Sequence, residues 1–190
     1  MLEPDVHHTL SLATQIDEEL HGRGCETLLI GALALAAHGY ARNTEDVDLA
    51  VAVPPRQLAS LAESLRKEGR HVELSEADGQ DPLGGVITIE AAGSLPVQIV
   101  NFDNSPTGGF PALVRDSLQR ATAPADGLCG RLPQPEDLIL FKLYAGGPKS
   151  ELDILELMAR CRVDLTVLKE RANGYRLERQ LDLVLARIGG

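Results

Sequence analysis

The stretch from Glu26 to Val53 constrains this chain more than any other. Thr27, Leu28, Leu29 and Ile30 form a continuous strand-like run, as expected for a strand covered on both faces. Gly31 ends the run, allows a sharp turn and, having no Cβ, permits close approach of another group. Residues 32–37 are strong helix formers, and His38-Gly39 supplies the stop. A second strand follows at Asp46-Val47-Asp48-Leu49-Ala50-Val51-Ala52-Val53. Alternation places Val47, Leu49, Val51 and Val53 on one face. Asp46 and Asp48 share the other, about 7 Å apart at Cα by the strand rise.

Two carboxylates at the mouth of an apolar strand repel each other, and a divalent cation held by both is the simplest remedy. Taken alone, Asp-X-Asp equally describes two solvated acids at a strand start. The pair does not stand alone. Ile30-Gly31-Ala32, a spacer over residues 33–45 and Asp46-Val47-Asp48 together resemble the signature of the nucleotidyltransferase-fold superfamily: an apolar residue, Gly, then Gly or Ser, a spacer, and acid-X-acid. Ala32 departs from the usual Gly or Ser, so no hydroxyl contacts phosphate from that position. The backbone N–H groups at the helix start remain as anion donors.

What the resemblance implies is Mg²⁺- or Mn²⁺-dependent transfer of a nucleoside monophosphate from a nucleoside triphosphate. It implies Asp46 and Asp48 as metal-holding catalytic residues, with Gly31, Ala32, Arg42 and Thr44 beside the phosphates. A third carboxylate is expected on a neighbouring strand, and the matching segment is Val97-Gln98-Ile99-Val100. Gln98 offers an oxygen there but no charge and no base. Glu90, ending the preceding strand, is the candidate for the missing metal ligand. Asp103 falls on the opposite face from Gln98.

Pro135-Glu136-Asp137-Leu138-Ile139-Leu140-Phe141-Lys142-Leu143-Tyr144-Ala145, followed by Lys149 and Leu152-Asp153-Ile154, carries a narrower resemblance. It looks like the second half of bacterial abortive-infection (AbiEii-like) nucleotidyltransferase toxins and their uncharacterised relatives. That likeness places Lys142 and Asp153 near the nucleotide and implies a cognate antitoxin as partner. Ser150 stands where an aspartate is common. Read from the residues alone, Lys142 is either a snorkelling lysine or a phosphate contact. Lys149 and Asp153, four apart, are also a plausible surface pair. Arg42 is either a phosphate ligand or an exposed loop residue.

The 190 residues suit one domain with a substantial core, or a domain plus a helical extension. We expect a nucleotidyltransferase-like α+β core over residues 1–134, with a mixed sheet flanked by helices, and a C-terminal helical bundle over 135–190. Expected helices span 5–22, 56–68, 111–121, 135–145 and 149–161, the last burying Leu152, Leu155 and Met158. A strand starts near His71, and a hairpin pairs 86–91 with 96–102. Asp164 caps a further helix closed by Asn173-Gly174, and the final helix buries Leu177, Leu181, Val184, Leu185 and Ile188.

A net charge of −10 with 3% aromatic residues argues against broad nucleic-acid binding, which relies on neutralising phosphates. The acceptor therefore stays open between RNA, protein and a small hydroxylated molecule; acidity suits a cationic one. A catalytically degenerate relative that binds nucleotide or a partner protein is the alternative that Ala32, Gln98 and Ser150 favour. Cys25, Cys129 and Cys161 are widely spaced without a metal-ligand pattern, and no apolar run approaches a membrane span. A cytoplasmic location with reduced thiols and no membrane partner is the expectation.

Overall fold

A computed structural model describes residues 5–77, 83–104, 108–124 and 127–188. Helix α1 (Val6–Gly22) leads into β1 (Leu28–Ile30), α2 (Gly31–Ala37), β2 (Val47–Val51) and α3 (Pro55–Lys67). Strands β3 (His71–Glu76), β4 (Gly85–Glu90) and β5 (Val97–Asn101) follow, then a two-residue ladder of β6 (Asp103–Asn104) and β7 (Gly108–Gly109). The chain ends with α4 (Pro111–Arg120), α5 (Pro135–Ala145), α6 (Gly147–Arg160), α7 (Leu165–Gly174) and α8 (Glu178–Ile188). Parts of the loop expected before β4, and the break at Pro106-Thr107, lie outside the described residues.

The main sheet has five strands in the order β1-β2-β5-β4-β3. Only the central β2–β5 pair is parallel; the other neighbours are antiparallel. This is the mixed sheet flanked by helices, with C-terminal helices beyond it, that the sequence predicts. Register explains why its two faces differ so sharply. Leu29, Leu49, Ile99 and Ile87 stand in one row across four strands, and all are fully buried. One residue along, the row reads Ile30, Asp48, Gln98, Thr88 and Glu73. Period-two alternation thus gives one face to the core and leaves the other polar at its centre.

Helix α5 is apolar around most of its circumference, burying Leu138, Ile139, Leu140, Phe141 and Leu143, which suits a helix enclosed by neighbours. Pro135 starts it, and Gly146, with φ 68°, ends it. Helix α6 corrects the sequence reading. Its buried stripe is Ser150, Asp153, Ile154 and Leu157, while Leu152 and Leu155 are 51% and 37% exposed. The spacing of 3, 1 and 3 is that of a helix face, but half of that face is polar. Asp164 caps α7 by accepting from the Thr166 and Val167 amides; Leu177, Leu181 and Val184 are buried as expected, Leu185 is half-buried, and the side chain of Ile188 lies outside what is described. No helix among the described residues is long and apolar enough to cross a membrane.

Candidate active site

The turn from β1 into α2 is built around Asp48. Gly31 has φ +67°, and a Cβ placed there would lie 2.0 Å from Asp48 Oδ2. Glycine is required twice over, for the left-handed backbone and for the space that the carboxylate occupies. Ile30, paired with Asp48 across the β1–β2 ladder, fixes the relative height of turn and acid. Ala32 is buried in the first turn of α2, and no side chain caps that helix start. Its outward direction is left to the backbone N–H groups.

Asp46 lies just before β2. The Thr44 hydroxyl contacts both its carbonyl oxygen, at 2.9 Å, and its Oδ1, at 3.2 Å, so Thr44 orients Asp46. Burial, and then the charge of Asp46, push the Asp48 carboxyl up to about 6, against the opposing pull of Lys142, Arg42 and Lys149. A desolvated carboxylate repelled by its neighbour is stabilised by a divalent cation shared between the two. Asp46 and Asp48 would together suit a hard divalent cation, for which carboxylate oxygens are the preferred ligands. Among the described residues no cluster of three or more His, Cys, Asp or Glu forms a fuller metal site.

Arg42 and Lys142, far apart in sequence, meet on Asp153. The Arg42 Nε donates to Asp153 Oδ1 at 3.0 Å, and Lys142 Nζ lies 2.7 Å from Oδ2. Asp153 is only 1% exposed, so the two bases compensate a carboxylate that burial would otherwise penalise. Through it α6 holds the loop ahead of β2. The same loop is tied down by Arg160, which donates to the Gly39 carbonyl at 3.4 Å and lies over the Tyr40 ring. His38 closes α2, and its Nε2 lies 2.9 Å from the Pro133 carbonyl oxygen, away from any metal role.

Gln98 stands directly beside Asp48 in the parallel ladder, half-buried. Glu90 is not brought to this centre. It is two strands over, about 10 Å by strand spacing, and its carboxylate pairs with His71 on β3 at 3.1 Å. Lys149, at the start of α6, is exposed, and Ser150 is buried beside it.

A cavity of about 320 Å³ opens beside Asp48, between the sheet and α5. Ile30, Gly31, Asp48, Val100 and Phe102 form its floor; Leu138, Phe141, Lys142 and Ala145 form its roof, with Leu83 and Tyr144 at the sides. The apolar part of this wall is absent from the sequence reading. Of three Phe and three Tyr in the chain, all but Tyr40 join one series of ring contacts here: Phe141 on Phe102, Phe102 on Tyr144, Tyr144 on Phe110 and Phe110 on Tyr175. The available signal was scarcity: a chain with so few aromatics that places Phe141 and Tyr144 one helical turn apart beside Lys142.

Solved structures share this architecture. One is an antigenic nucleotidyltransferase-like protein from Paracoccidioides brasiliensis, 19% identical, with 96% of this chain and 93% of that one covered and a TM-score of 0.54. Another is ANT(2")-Ia in complex with adenylyl-2"-tobramycin, 15% identical, covering 94% and 98%, with a TM-score of 0.50. At these identities the likeness shows the fold. Among curated proteins, no significant match is found. A family model described as nucleotidyltransferase of unknown function (DUF6036) matches residues 7–182, and the chain belongs to that family.

Proposed function

We propose that this protein transfers a nucleoside monophosphate from a nucleoside triphosphate to an acceptor hydroxyl. The observation that carries the reading is the seat of Asp48: wedged against Gly31, beside Asp46, at the mouth of a cavity that Lys142 also lines. Asp46 and Asp48 hold a Mg²⁺ or Mn²⁺ ion, which when bound neutralises charge building up on the attacked phosphate. The Gly31 and Ala32 amides and the side chains of Arg42 and Lys142 take the phosphate oxygens. Thr44 and Asp153 orient these groups, the first through Asp46 and the second through the two bases. Residues 1–134 carry the metal end, and the helical region from 135 closes the site with Lys142 and Asp153.

The finer reading, a toxin of the abortive-infection type with a cognate antitoxin, rests on the Lys142–Asp153 motif. Incubation with each labelled triphosphate, Mg²⁺ or Mn²⁺, and separate RNA, protein and small-molecule fractions tests the activity. Label is expected in one fraction and is expected to disappear in Asp48→Asn. Label that survives this substitution removes Asp48 from the chemistry.

One observation favours a second reading. Gln98, uncharged, sits in register beside Asp48 where a third acid would activate the acceptor. A relative that binds nucleotide or a partner without turnover would show metal-dependent thermal stabilisation by nucleotide and no labelled product.

A further inference from the structure

The cavity beside Asp48 is lined from both the sheet and α5. Beyond Asp48 and Lys142, its walls are chiefly Val100, Phe102, Leu138, Phe141 and Tyr144. A nucleobase buried there would bring several ring nitrogens and exocyclic groups against walls where, beyond Asp48 and Lys142, Tyr144 alone of the described lining carries a polar side-chain group. A polycation would need several acids, yet Asp48 is the only carboxylate among the described residues lining the cavity. An RNA strand would need a track of bases, and Lys142 is the one base among the described residues lining the cavity. The walls match an apolar body of modest size with few hydrogen-bonding groups.

We propose, resting on the transferase reading above, that this cavity is the acceptor pocket and that it takes an uncharged molecule with a flat apolar body and one hydroxyl, of which phenols are the simplest kind. The hydroxyl points to the Asp48 end, and the body lies against the wall that Phe102, just past β5, and Phe141 and Tyr144 on α5 form. In the transfer, the acceptor oxygen forms a bond to the α-phosphorus while the bond from that phosphorus to the bridging oxygen of pyrophosphate breaks. Pyrophosphate leaves with that electron pair, and the hydroxyl proton passes to solvent water.

The test uses 2-naphthol as probe and phenol as its smaller analogue, titrated calorimetrically into the full chain without nucleotide. Saturable single-site binding is expected, at least tenfold tighter for 2-naphthol than for phenol, with saturating adenosine leaving it unchanged. Ala145 is exposed at the end of α5 on the cavity wall. Ala145→Trp is expected to keep the melting transition and weaken 2-naphthol binding at least tenfold. Absent or non-saturable binding, equal affinities for the two probes, or indifference to Ala145→Trp overturns the pocket. Displacement by adenosine does so too, giving the cavity to a nucleoside. The two-probe ratio and the adenosine competition need no variant and decide the matter if Ala145→Trp does not fold.

Adding each triphosphate with Mg²⁺ then separates the two claims. Mass-spectrometric detection of a nucleotidylated 2-naphthol supports both. Binding without any product supports the pocket and counts against transfer. Product on an RNA oligonucleotide or on kanamycin in place of 2-naphthol keeps the transferase and overturns this acceptor class.

Discussion

Two aspartates on neighbouring helices make nearly the same interaction and serve opposite ends. Asp137 on α5 and Asp153 on α6 are 0% and 1% exposed, and each is met by two bases. Asp137 receives Arg120 from α4 and Arg171 from α7, both on Oδ1. Asp153 receives Arg42 from the loop before β2 and Lys142 from α5, one base to each oxygen at the shortest distances. The first set joins three helices to one another. The second ends at the cavity wall, where Lys142 is also within electrostatic reach of Asp48. A buried ion pair is by itself weak evidence for either stability or function, so what its bases face decides the role.

The largest expected effect falls on the first cluster. Asp137→Ala leaves Arg120 and Arg171 without their shared partner, and removing one member of a buried pair costs about 3–5 kcal/mol. Chemical denaturation should show the midpoint drop, while nucleotide affinity per folded molecule stays at the wild-type value. A variant that denatures like wild type would erase the distinction drawn between the two acids.

Asp153→Asn should reverse the pattern. Asparagine keeps the shape and one oxygen of the side chain, which alanine at 137 does not, so the stability loss is expected to be the smaller of the two. Transfer should fall by about 10- to 100-fold, the usual cost of losing a group that orients direct contacts. The loss should appear chiefly as a raised KM for the triphosphate, and Asp153→Glu should restore part of it. Equal losses of stability in Asp137→Ala and Asp153→Asn, with unchanged KM, would place both clusters in the framework.

The legibility of the sequence divides along the same line. The Gly31 turn, the strand starting at Val47 and the shared face of Asp46 and Asp48 follow from rules acting over a few residues, and the structure has them. Superfamily membership was legible for the same reason, since its signature is local. The α6 stripe was not. Apolar spacing selects Leu152, Leu155 and Met158, whereas the buried face carries Ser150 and Asp153 because Arg42, more than a hundred residues earlier, and Lys142 neutralise the acid. Arg171 is likewise committed to Asp137, 34 residues earlier, a pairing that local rules do not reach. The placement of Glu90 depended on strand order, which β4 alone does not encode.

Gly31→Ala probes the one acid held by shape rather than by charge. The substitution places a non-glycine residue at φ +67° and drives its Cβ into the Asp48 carboxylate. A destabilisation of about 1–3 kcal/mol is expected from the backbone alone, with loss of metal-dependent nucleotide binding as Asp48 is displaced. Retained binding would mean that the turn only closes the chain and does not set the acid.

Asp48 itself supplies the smallest effect. No base among the described residues lies within ion-pair distance of it, unlike Asp137 and Asp153. Its carboxyl is raised from 3.8 to about 6 by burial first and Asp46 second. The folded protein therefore holds this proton more tightly than the unfolded chain does. The resulting stabilisation is full below about pH 4 and is lost as pH rises through 6. Asp48→Asn removes the penalty. In metal-free buffer at neutral pH it should melt about 2–4 °C above wild type, the shift of roughly 1 kcal/mol in a chain of this size. Below about pH 4 that advantage should vanish. Mg²⁺, which favours the ionised acid, should narrow the gap at pH 7 by stabilising the wild type alone. Identical melting of the two proteins across this range would show that the Asp48 carboxylate is solvated enough to need no cation, and the contrast with the paired acids would lose its third member.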